Sequence, residues 1–428
     1  MEKQMERPLT EHIRQGEEPL NVSEYEKVGG YQALRKALGS MAPEEVTQVV
    51  LDSGLTGRGG AGFSTGRKWS FIPLDDSVPH PKYLVANADE MEPGAIKDHL
   101  LLRGHPHQLI EGMILAAYAV QADRSFIFVR WAYKLAAERL ARAISEAYEH
   151  GYLGKNILGS GYSLEMHLHT SAGRYICGEA TALLNALEGE RGVPRHKPPH
   201  AAQAGMWSRP TVVNNTETLS NVCHIIDKGA EWFKGLSRTG TDGTRLYQVS
   251  GKVVRPGVWE LPTGTPAREI IEEHAGGMRE GLSLRALLPG GGSTPFLLSK
   301  DLDVQMDADS LEKVDSRLGT GTIIVLDDQT CPVGMMANLM HFYARESCGW
   351  CTPCRDGLPW TAKVLDAIEE GRGQPIDIER LGIHTRLIKD DATFCTLATG
   401  AMQPLRSALN YFRSDLEQHI EEKGCPWR

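Results

Sequence analysis

The spacing of apolar residues changes along the chain and first indicates an α/β region. Up to about residue 225, short apolar runs at 83–87 and 126–129 predict buried strands. Helical spacing at 104–121 and 132–149 predicts helices between and after them. Alternating strands and helices of this kind are typical of an α/β domain with a mainly parallel sheet.

Helical spacing also covers residues 31–54, ahead of the first predicted strand. Pro43 and the acids that follow it mark the start of a second helix within this stretch. Gly54 is expected to end that helix.

The pattern alternates with period two after about residue 240. Strands are predicted at 246–253, 258–261 and 322–326, and a short helix at 266–275. These elements indicate a small β-rich domain of roughly a hundred residues with one crossing helix.

From about residue 332 the spacing is helical. The sequence predicts four short helices at 335–345, 360–370, 378–388 and 400–412. The expected organisation is therefore an N-terminal segment with an α/β domain over 1–240, a β-rich domain over 241–330 and a helical domain over 331–428.

Composition narrows the class of protein. The chain has 428 residues, 41% of them hydrophobic, and no run approaches 18 apolar residues, so no membrane-spanning segment is predicted. A formal net charge of −9 disfavours nucleic acids and anionic membrane surfaces as partners. The first seven residues are charged and lack an apolar segment, which favours a cytoplasmic protein without a secretory signal.

Four of the eight cysteines have metal-ligand spacing. Cys348, Cys351 and Cys354 form a C-x2-C-x2-C triplet, and Cys395 can supply a fourth thiolate from another segment. This spacing favours a [4Fe–4S] cluster, and structural zinc stays open as the alternative. The other four cysteines are scattered singly and do not suggest a disulfide framework; Cys425 is interpreted as a bystander thiol.

A glycine-rich loop at 57–63 is the first candidate nucleotide site. Gly57, Gly59 and Gly62 match G-x-G-x-x-G, but a helix precedes them where the dinucleotide fingerprint requires a strand. The loop can nevertheless bring backbone N–H groups close to a ligand. Cations suited to phosphates and rings suited to stacking lie in or near it: Arg58, Arg67, Lys68, Phe63, Trp69 and Phe71.

Acidic residues follow the first strand directly. Asp89, Glu90 and Glu92 stand just past its carboxyl end, where open α/β sheets bind ligands. Carboxylates at this place suit ribose hydroxyls, a carboxamide or the N–H groups of a flavin ring. A solvated acidic turn is the alternative interpretation.

Two further segments open helices and could bind anions. Residues 173–179 are expected to join a strand to a helix at 180–187, and Asn214, Asn215 and Thr216 open another helix. Helix N-termini offer free N–H groups to phosphates, although each segment taken singly is more often only a helix cap.

Five segments together resemble one protein family, and they occur in the same order along the chain as in that family. They are 57–63 with Lys68 and Trp69, 87–94, 173–179, 214–218 and 346–354. That family is the NADH-binding flavoprotein subunit of respiratory complex I, the NADH:quinone oxidoreductase. The resemblance extends from about residue 25 to 415 and rests on no single short motif.

The resemblance implies a fold and a set of cofactors. It implies a Rossmann-like FMN-binding domain, a ubiquitin-like β-grasp domain and a C-terminal four-helix bundle that holds an iron–sulfur cluster. NADH would pass hydride to FMN, and a [4Fe–4S] cluster would take the electrons singly. The implied partners are a thioredoxin-like [2Fe–2S] subunit and a large iron–sulfur subunit, so that the protein meets the inner membrane only through the complex.

The resemblance also assigns site residues. The expected FMN contacts are Gly57, Gly59, Lys68, Asn87, Asp89, Glu90, Gly178, Glu179, Asn214, Asn215 and Thr216. The expected contacts to NADH or NAD+ are Gly60, Phe63, Phe71, Glu92, Tyr175 and Lys197. Glu92 and Glu179 take the catalytic positions beside the nicotinamide, and the cluster ligands are Cys348, Cys351, Cys354 and Cys395.

This chain departs from the family pattern at two positions of the nucleotide site. Ala180 stands where the family usually has a second glutamate after Glu179, which removes a negative charge. His200 stands where the family commonly has phenylalanine, and imidazole offers less area for stacking on adenine. Both departures predict altered nucleotide binding with flavin binding preserved.

Two other functions compete with this assignment. The same core occurs in the diaphorase subunit of NAD-linked hydrogenases and formate dehydrogenases, many of which add iron–sulfur domains that are not apparent here. A zinc-stabilised interaction module without redox chemistry is the more distant alternative.

Overall fold

The computed structural model describes residues 5–14, 16–75, 78–389 and 391–428. Within those residues, no helix combines the length and the apolar character that crossing a membrane requires. The N-terminal region has helices at Val22–Lys27, Gln32–Ser40, Pro43–Asp52 and Thr65–Trp69. Pro43 occupies the first turn of its helix, and the Glu45 carboxylate accepts a hydrogen bond from the N–H of Ala42, so the predicted start is confirmed.

A four-stranded parallel sheet forms the first domain, as predicted. Its strands are β1 (Tyr83–Ala88), β2 (Arg124–Val129), β3 (Glu165–Thr170) and β4 (Thr211–Asn215), in the order β3-β2-β1-β4. The chain leaves β1 toward β2 and β3 on one side and returns to β4 on the other. The carboxyl ends of β1 and β4 therefore meet at a switch point of the sheet, where α/β folds bind ligands.

Helices and short turns cover this sheet. Their bounds are Lys97–Gly104, Pro106–Val120, Lys134–Glu149, Ile157–Gly159, Tyr175–Gly178, Ala180–Leu187, Ala201–Ala204, Met206–Ser208, Thr216–Lys228 and Ala230–Gly235. The helices predicted at 104–121 and 132–149 are confirmed within two residues at each end. Gly112 lets two of these helices touch, because a Cβ there would lie 2.0 Å from the carbonyl oxygen of Leu219.

A mixed five-stranded sheet forms the second domain. Its strands are β5 (Thr244–Ser250), β6 (Gly257–Pro262), β7 (Leu284–Leu288), β8 (Leu297–Leu298) and β9 (Thr322–Asp327), in the order β6-β5-β9-β7-β8. The helix predicted over 266–275 is a short α-helix, Ala267–Glu269, that widens into a π-helical turn at Ile270–His274. The short helices Ser299–Asp301 and Ala308–Glu312 escaped prediction because they span less than two turns.

The C-terminal region is helical, as expected. Its helices are Pro332–Glu346, Thr352–Arg355, Gly357–Glu369, Pro375–Leu387, Leu397–Tyr411 and Arg413–Glu421. The four predicted helices are present, each beginning about three residues earlier than expected. Helix Arg413–Glu421 was not predicted, because its buried face is narrow and its sequence is strongly charged.

The two faces of the parallel sheet belong to different apolar cores. Leu84 and Ala86 point to a core made with the N-terminal helices, whereas Tyr83 and Val85 point to the other face. That second core contains residues of the C-terminal helices, including Met336. The helical region thus completes the burial of the parallel sheet. The boundaries drawn at 240 and 330 divide the sequence and stay a prediction.

Candidate functional site

The glycine-rich loop is closed on itself and open to the cleft. The N–H of Gly57 donates to the carbonyl oxygen of Phe63 at 2.8 Å, so that residues between them project as one turn. Gly60 and Gly62 have φ angles of 106° and 65°, a conformation that glycine adopts without strain. A Cβ at Gly62 would meet nothing within 4 Å, because the loop faces open space. The loop can therefore present bare backbone to a ligand.

The switch point of the sheet places polar side chains at the cleft floor. Asn87 and Asn215 are paired in register at the ends of β1 and β4. Asn87 donates through Nδ2 to the carbonyl oxygen of Gly178 at 3.0 Å, which ties β1 to the second glycine segment. The sequence segments 57–63, 87–94, 173–179 and 214–216 thus converge on one place.

The three acids of the turn after β1 have different surroundings. Asp89 accepts a hydrogen bond from Ser171 at 2.9 Å through Oδ1, while its buried Oδ2 has no partner. Burial raises the pKa of Asp89 to about 6. Glu90 accepts from the N–H groups of Asp98 and His99, and burial raises its pKa. Asp89 therefore retains an unused acceptor, whereas Glu90 is largely occupied by the protein.

Glu92 joins the α/β region to the β-rich region at the cleft, and its partner Tyr175 extends the link to the helical region. Its Oε2 accepts from the hydroxyl of Tyr175 at 2.7 Å, and its Oε1 accepts from the N–H of Ser293 at 2.9 Å. The N–H of Tyr175 in turn donates to Glu346, on the helix that leads to the cysteine triplet. Burial raises the pKa of Glu92. This carboxylate is therefore fixed in position by donors from two directions.

Glu179 caps the helix Ala180–Leu187 rather than standing free. Its Oε2 accepts from the N–H groups of Thr181 and Ala182, both at 2.9 Å. Its Oε1 faces Lys197 Nζ at 2.9 Å. Ala180 follows it in the cleft wall and carries no charge.

Asn214, Asn215 and Thr216 are held by neighbouring groups. Asn215 caps its helix by accepting from the N–H of Glu217 at 2.9 Å. Asn214 Oδ1 accepts from the indole of Trp69 at 3.0 Å. The buried Thr216 hydroxyl lies 3.4 Å from the carbonyl oxygen of Asn87 and does not reach the cleft.

The cations predicted for phosphate binding separate into two kinds. Lys68 lines the cleft, and burial together with nearby Lys197 lowers its pKa to about 8. Arg58 is wholly buried and pairs with Asp242 at 2.6 Å, so the expectation that it is available to phosphates was wrong. Arg67 is exposed beyond the lining of the cleft. Of these three cations, Lys68 is the one that lines the cleft without an acidic partner among the described residues, and its Nζ donates to the carbonyl oxygen of Val213 at 2.6 Å.

The aromatic residues near the loop also differ in whether they are exposed or buried. Phe63 and Phe71 are 48% and 52% exposed, with ring centroids 6.2 Å apart, so both rings remain available. Trp69 is buried in the first core, and the idea that it stacks on a ligand was wrong. His200 is exposed and caps a four-residue helix away from the cleft lining.

The converging segments enclose a cleft of about 610 Å³. Most predicted site residues line it: Gly57, Gly59, Gly60, Phe63, Lys68, Asn87, Asp89, Glu90, Glu92, Tyr175, Gly178, Glu179, Asn214 and Asn215. Phe71, Lys197 and Thr216 lie outside its lining. Cys395, Thr396 and Leu397 form part of the wall, so one predicted cluster ligand borders the same space as the glycine loop.

Sequence reasoning missed a third wall of the cleft. The β-rich domain contributes Gly290, Ser293, Arg317, Gly319 and Thr320. A run of three glycines at 290–292 and the paired glycines at 319 and 321 were the available signal, since close backbone approach at such turns often marks a site. Lys97 and Asp98 also line the floor, and Lys97 is paired there with Asp98 and Glu217, both at 2.8 Å.

The cluster cysteines are Cys348, Cys351, Cys354 and Cys395. Cys354 is buried and the other three are half-buried. Burial raises the pKa of the Cys354 and Cys395 thiols to about 11, and metal coordination would ionise them. Ser347 Oγ lies 3.1 Å from Cys354 Sγ, and the N–H of Phe394 donates to Cys351 Sγ at 3.4 Å.

The spacing of these sulfurs fits a multinuclear centre better than one ion. A tetrahedral zinc ion would hold thiolate sulfurs about 3.8 Å apart. In the described part of the chain, the one group of three or more metal-type ligands lying within 4.8 Å of one another is elsewhere and contains none of the cluster cysteines. The four thiols therefore fit a [4Fe–4S] cluster, which separates its ligands by several metal atoms.

The cleft likewise fits a flavin nucleotide. The unpartnered Asp89 Oδ2 offers an acceptor to a ring N–H, and Lys68 offers a cation to a phosphate. A Cβ at Gly178 would project into open space, so this cradle depends on the absence of a side chain. The volume lies within the usual range for cofactor sites, about 300–1,000 Å³.

Family models match three parts of the chain. Residues 50–224 match the Nuo51 FMN-binding domain, residues 246–297 the SLBB domain, and residues 334–419 the NADH-ubiquinone oxidoreductase-F iron-sulfur binding region. The matches follow the α/β, β-rich and helical regions described above. The iron–sulfur match also removes the zinc-stabilised interaction module as an alternative function.

Curated relatives match over nearly the full length. The F subunit of NADH-quinone oxidoreductase from Escherichia coli (strain K12) is 52% identical, covering 97% of this chain and 93% of its own. The protein of the same name from Salmonella typhimurium (strain LT2) gives the same identity and coverage. The one from Mycobacterium tuberculosis (strain CDC 1551 / Oshkosh) is 47% identical over 94% of this chain and 90% of its own.

A solved structure supports the fold. The NAD+-reducing [NiFe]-hydrogenase in the H2-reduced state superposes with a TM-score of 0.80 at 33% identity. The match covers 93% of this chain but only 65% of the hydrogenase chain. Identity near one half over almost the whole length, together with the FMN-binding and iron–sulfur matches, settles the family. The chain belongs to the family of NADH-quinone oxidoreductase F subunits and is an NADH dehydrogenase that uses FMN and a [4Fe–4S] cluster.

Proposed function

We propose that the cleft is the place where NADH, FMN and the cluster exchange electrons. NADH would be oxidised at its open side, and electrons would leave through the wall that contains Cys395. The observation that carries this assignment is the position of Cys395, Thr396 and Leu397 in the lining of the cleft that the glycine loop closes. A flavin held there needs no conformational change to stand next to its acceptor.

When bound, FMN accepts a hydride from NADH and gives up its two electrons one at a time. The chain's own residues supply binding and orientation. We assign to FMN the floor and inner wall: Gly57, Gly59, Lys68, Asn87, Asp89, Glu90, Gly178, Glu179, Asn214 and Asn215. Lys68 supplies the positive charge for the phosphate, and the glycines allow backbone N–H groups to approach it. Thr216 acts one step removed, because it holds the end of β1 through Asn87.

We assign to NADH the open side of the cleft. Gly60, Phe63 and Tyr175 line that side, and Phe71 lies beside Phe63. The two phenylalanine rings suit adenine stacking because both are substantially exposed. Glu92 suits the nicotinamide end, where the Tyr175 and Ser293 contacts hold its carboxylate. Lys197, held by Glu179, adds a cation at the rim.

The finer architecture and the setting of the chain are also part of the proposal. The second sheet has the strand order 2-1-5-3-4 when its strands are numbered from one, with a crossing helix between the second and third, which supports a ubiquitin-like β-grasp domain. The C-terminal helices support a four-helix bundle extended by Arg413–Glu421. The partners would be a thioredoxin-like [2Fe–2S] subunit and a large iron–sulfur subunit. The location would be the cytoplasmic side of the inner membrane, reached only through that complex.

Gly178 offers a direct test of where FMN binds. A Gly178→Val side chain would enter the cleft without touching protein atoms, since nothing lies within 4 Å of its Cβ position. We expect a folded chain that retains its iron but loses most of its FMN. Addition of NADH should then no longer bleach the flavin absorption. Gly39→Val is the matched control, because this helical glycine is exposed and its Cβ position is equally open. Full FMN content in Gly178→Val would place the flavin elsewhere.

A second function follows from the likeness to the hydrogenase. A diaphorase subunit of an NAD-linked hydrogenase or formate dehydrogenase would use the same cleft but a different onward acceptor. The 33% identity to the hydrogenase chain, against 52% to quinone oxidoreductase subunits, favours the quinone enzyme. Purification of the native complex from membranes decides between them: quinone oxidoreductase subunits would support the first function, and a hydrogenase or formate dehydrogenase subunit the second.

A further inference from the structure

A second group of metal-type ligands lies in the C-terminal region, apart from the cluster cysteines. It consists of Cys331, Glu369, His419 and Cys425, called here the C-terminal quartet. The four residues belong to four different segments: the caps and ends of helices Pro332–Glu346, Gly357–Glu369 and Arg413–Glu421, and the turn after the last helix. Nothing in the NADH or flavin chemistry uses them.

The ligand atoms of the quartet are mutually close. All lie within 4.8 Å of one another. Cys331 Sγ is 3.3 Å from both Glu369 Oε2 and His419 Nε2, and those two atoms are 3.1 Å apart. A tetrahedral zinc ion holds a thiolate sulfur and a ring nitrogen about 3.6 Å apart. A small outward movement of the side chains therefore makes room for an ion at the centre of the group.

The imidazole of His419 is oriented for coordination. Its Nδ1 lies 2.6 Å from the carbonyl oxygen of Asp415, and since a carbonyl can only accept, Nδ1 carries the proton and donates. In the neutral ring Nε2 then has a free lone pair, directed at the other three ligands. A histidine held through its other nitrogen by a carbonyl is the usual arrangement around protein-bound zinc. The ring of Trp427 stacks on it with an interplanar angle of 19°, which fixes the ring plane.

The surroundings also suit the thiolate and the charge balance. The N–H of Gly334 donates to Cys331 Sγ at 3.2 Å, at the start of a fifteen-residue helix whose dipole favours an anion. Two thiolates and one carboxylate around a divalent cation leave one net negative charge. Arg428 lies 3.1 Å from Glu369 Oε1 and can neutralise it. Glu369 and His419 are buried, and Cys331 and Cys425 are half-buried.

We propose that the C-terminal quartet binds one structural Zn²⁺ ion. Two thiolates, an imidazole and a carboxylate are all ligands of zinc, and four protein ligands leave no position for a substrate. The ion would join three helices to the C-terminal turn, which is already packed closely: a Cβ at Gly371 would lie 1.9 Å from the carbonyl oxygen of Lys423. Its role is to hold the C-terminal segment against the iron–sulfur domain, without taking part in electron transfer.

The metal content of the full-length protein tests this proposal. The chain is purified without oxygen, with its flavin and iron, and dialysed against a weak chelator. We expect about one zinc per chain beside about four irons. Zinc X-ray absorption should give two sulfur ligands near 2.3 Å and two nitrogen or oxygen ligands near 2.0–2.1 Å. Absence of zinc, or zinc with four sulfur ligands, would overturn the proposal, because four sulfurs would place it at the cluster cysteines.

Substitutions locate the ion independently of that spectrum. Cys425→Ser and the shape-conserving His419→Gln should each lower zinc content at least tenfold while iron and FMN stay unchanged. Cys354→Ser should lower the iron content and leave the zinc content unchanged. Cys223→Ala is the control, since this free cysteine is buried in the core of the first domain, away from both sites. Zinc retained in both quartet variants, or a Cys331–Cys425 disulfide found by mass spectrometry in the anaerobic protein, would contradict the assignment.

Discussion

The two cysteine sites at the ends of helix Pro332–Glu346 differ in how their ligands are arranged. The cluster cysteines follow its C-terminus, and the C-terminal quartet begins with the residue that caps its N-terminus. A helix of fifteen residues separates them by about 22 Å. One site borders the cleft and the other faces the far end of the helical region.

Sequence proximity and spatial proximity are opposite in the two sites. Three cluster cysteines lie within seven residues, yet among the described residues no three of the cluster sulfurs form a group as tight as the quartet. The quartet spans 95 positions, from Cys331 to Cys425, yet its ligand atoms gather within 4.8 Å. Close spacing along the chain thus marks the ligands of the large cofactor, whereas the ligands of a single ion can be brought together by tertiary packing alone.

The largest expected effect comes from breaking the cleft-side site. Cys354→Ser removes a buried cluster ligand, and we expect iron loss and a drop of at least about a hundredfold in electron transfer from NADH to the onward acceptor. Flavin bleaching by NADH in stopped-flow measurements should persist. Ser347→Ala is the matched control, because it removes the hydroxyl contacts to Cys354 Sγ and to the N–H of Gly349 but no cluster ligand. Retention of the cluster in Cys354→Ser would refute the ligand assignment.

Breaking the quartet should affect stability instead. Cys331→Ser leaves Glu369 and His419 buried without their metal partner, and we expect a loss of about 3 kcal/mol in the free energy of unfolding. Denaturant unfolding measures it. A zinc-selective chelator should bring the native protein down to the same midpoint and leave the flavin and cluster absorption unchanged. Equal denaturation midpoints with and without the chelator would show that the metal does not stabilise the fold.

A substitution on the nucleotide side should slow reduction of the cluster by NADH and leave the C-terminal quartet unchanged. Glu92→Gln removes the charged acceptor for Tyr175 and Ser293, and we expect NADH affinity to fall about tenfold. FMN, iron and zinc contents should not change. Tyr175→Phe, which loses one hydroxyl and keeps the carboxylate, should give a smaller loss. The dissociation constant for NADH, measured with the reduced protein, separates these outcomes.

The flavin end should respond to pH through Lys68. Its pKa is lowered to about 8, so the ammonium form that attracts phosphate is present below that pH and is lost as pH rises through it. FMN affinity of the apoprotein should then fall by up to about tenfold per pH unit above 8. Flavin fluorescence titrations between about pH 6.5 and 9.5 measure it. Lys68→Met should flatten the dependence; a profile unchanged by this substitution would assign the titration elsewhere.

The smallest expected effect is at Ala180. Ala180→Glu adds a carboxylate beside Glu179 at the cleft wall, which should favour NAD+, with its positively charged nicotinamide ring, over NADH by about fivefold. Flavin content should stay the same. Ala180→Gln has similar size without charge and isolates the electrostatic part. Equal ratios of the two nucleotide affinities in all three proteins would show that the missing glutamate has no influence.

Much of the fold and of the cleft followed from local sequence. Strand and helix spacing located β1, β2 and the four main C-terminal helices, because their buried faces repeat regularly. The charge-rich helix Arg413–Glu421 lacks such a face, and the turns that contain Ser293 and Arg317 carry no periodic signal. The wall that contains Ser293 and Arg317 is brought to the cleft by tertiary packing, which no local sequence pattern encodes.

The chemical type of a residue was a weaker guide than its surroundings. Arg58 and Trp69 belong to the same stretch of sequence as Phe63 and Lys68, but burial commits the first two to the protein interior. Cys425 looked like a bystander because its neighbours in the chain are ordinary. Its partners Cys331 and Glu369 are distant in sequence, and a single histidine six residues before it is not a ligand motif, so only the folded arrangement reveals the group.

The shared apolar core beneath the parallel sheet has a consequence for assembly. Tyr83, Val85 and Phe128 share this core with residues of the C-terminal helices, including Met336 and Met340. We expect a chain that lacks residues 331–428 to lose part of this core and to hold β1 and β4 less firmly. A stable flavin site is therefore expected to depend on the helical region that also holds the cluster cysteines. Building the flavin site and its acceptor on one core would keep the two from being formed separately.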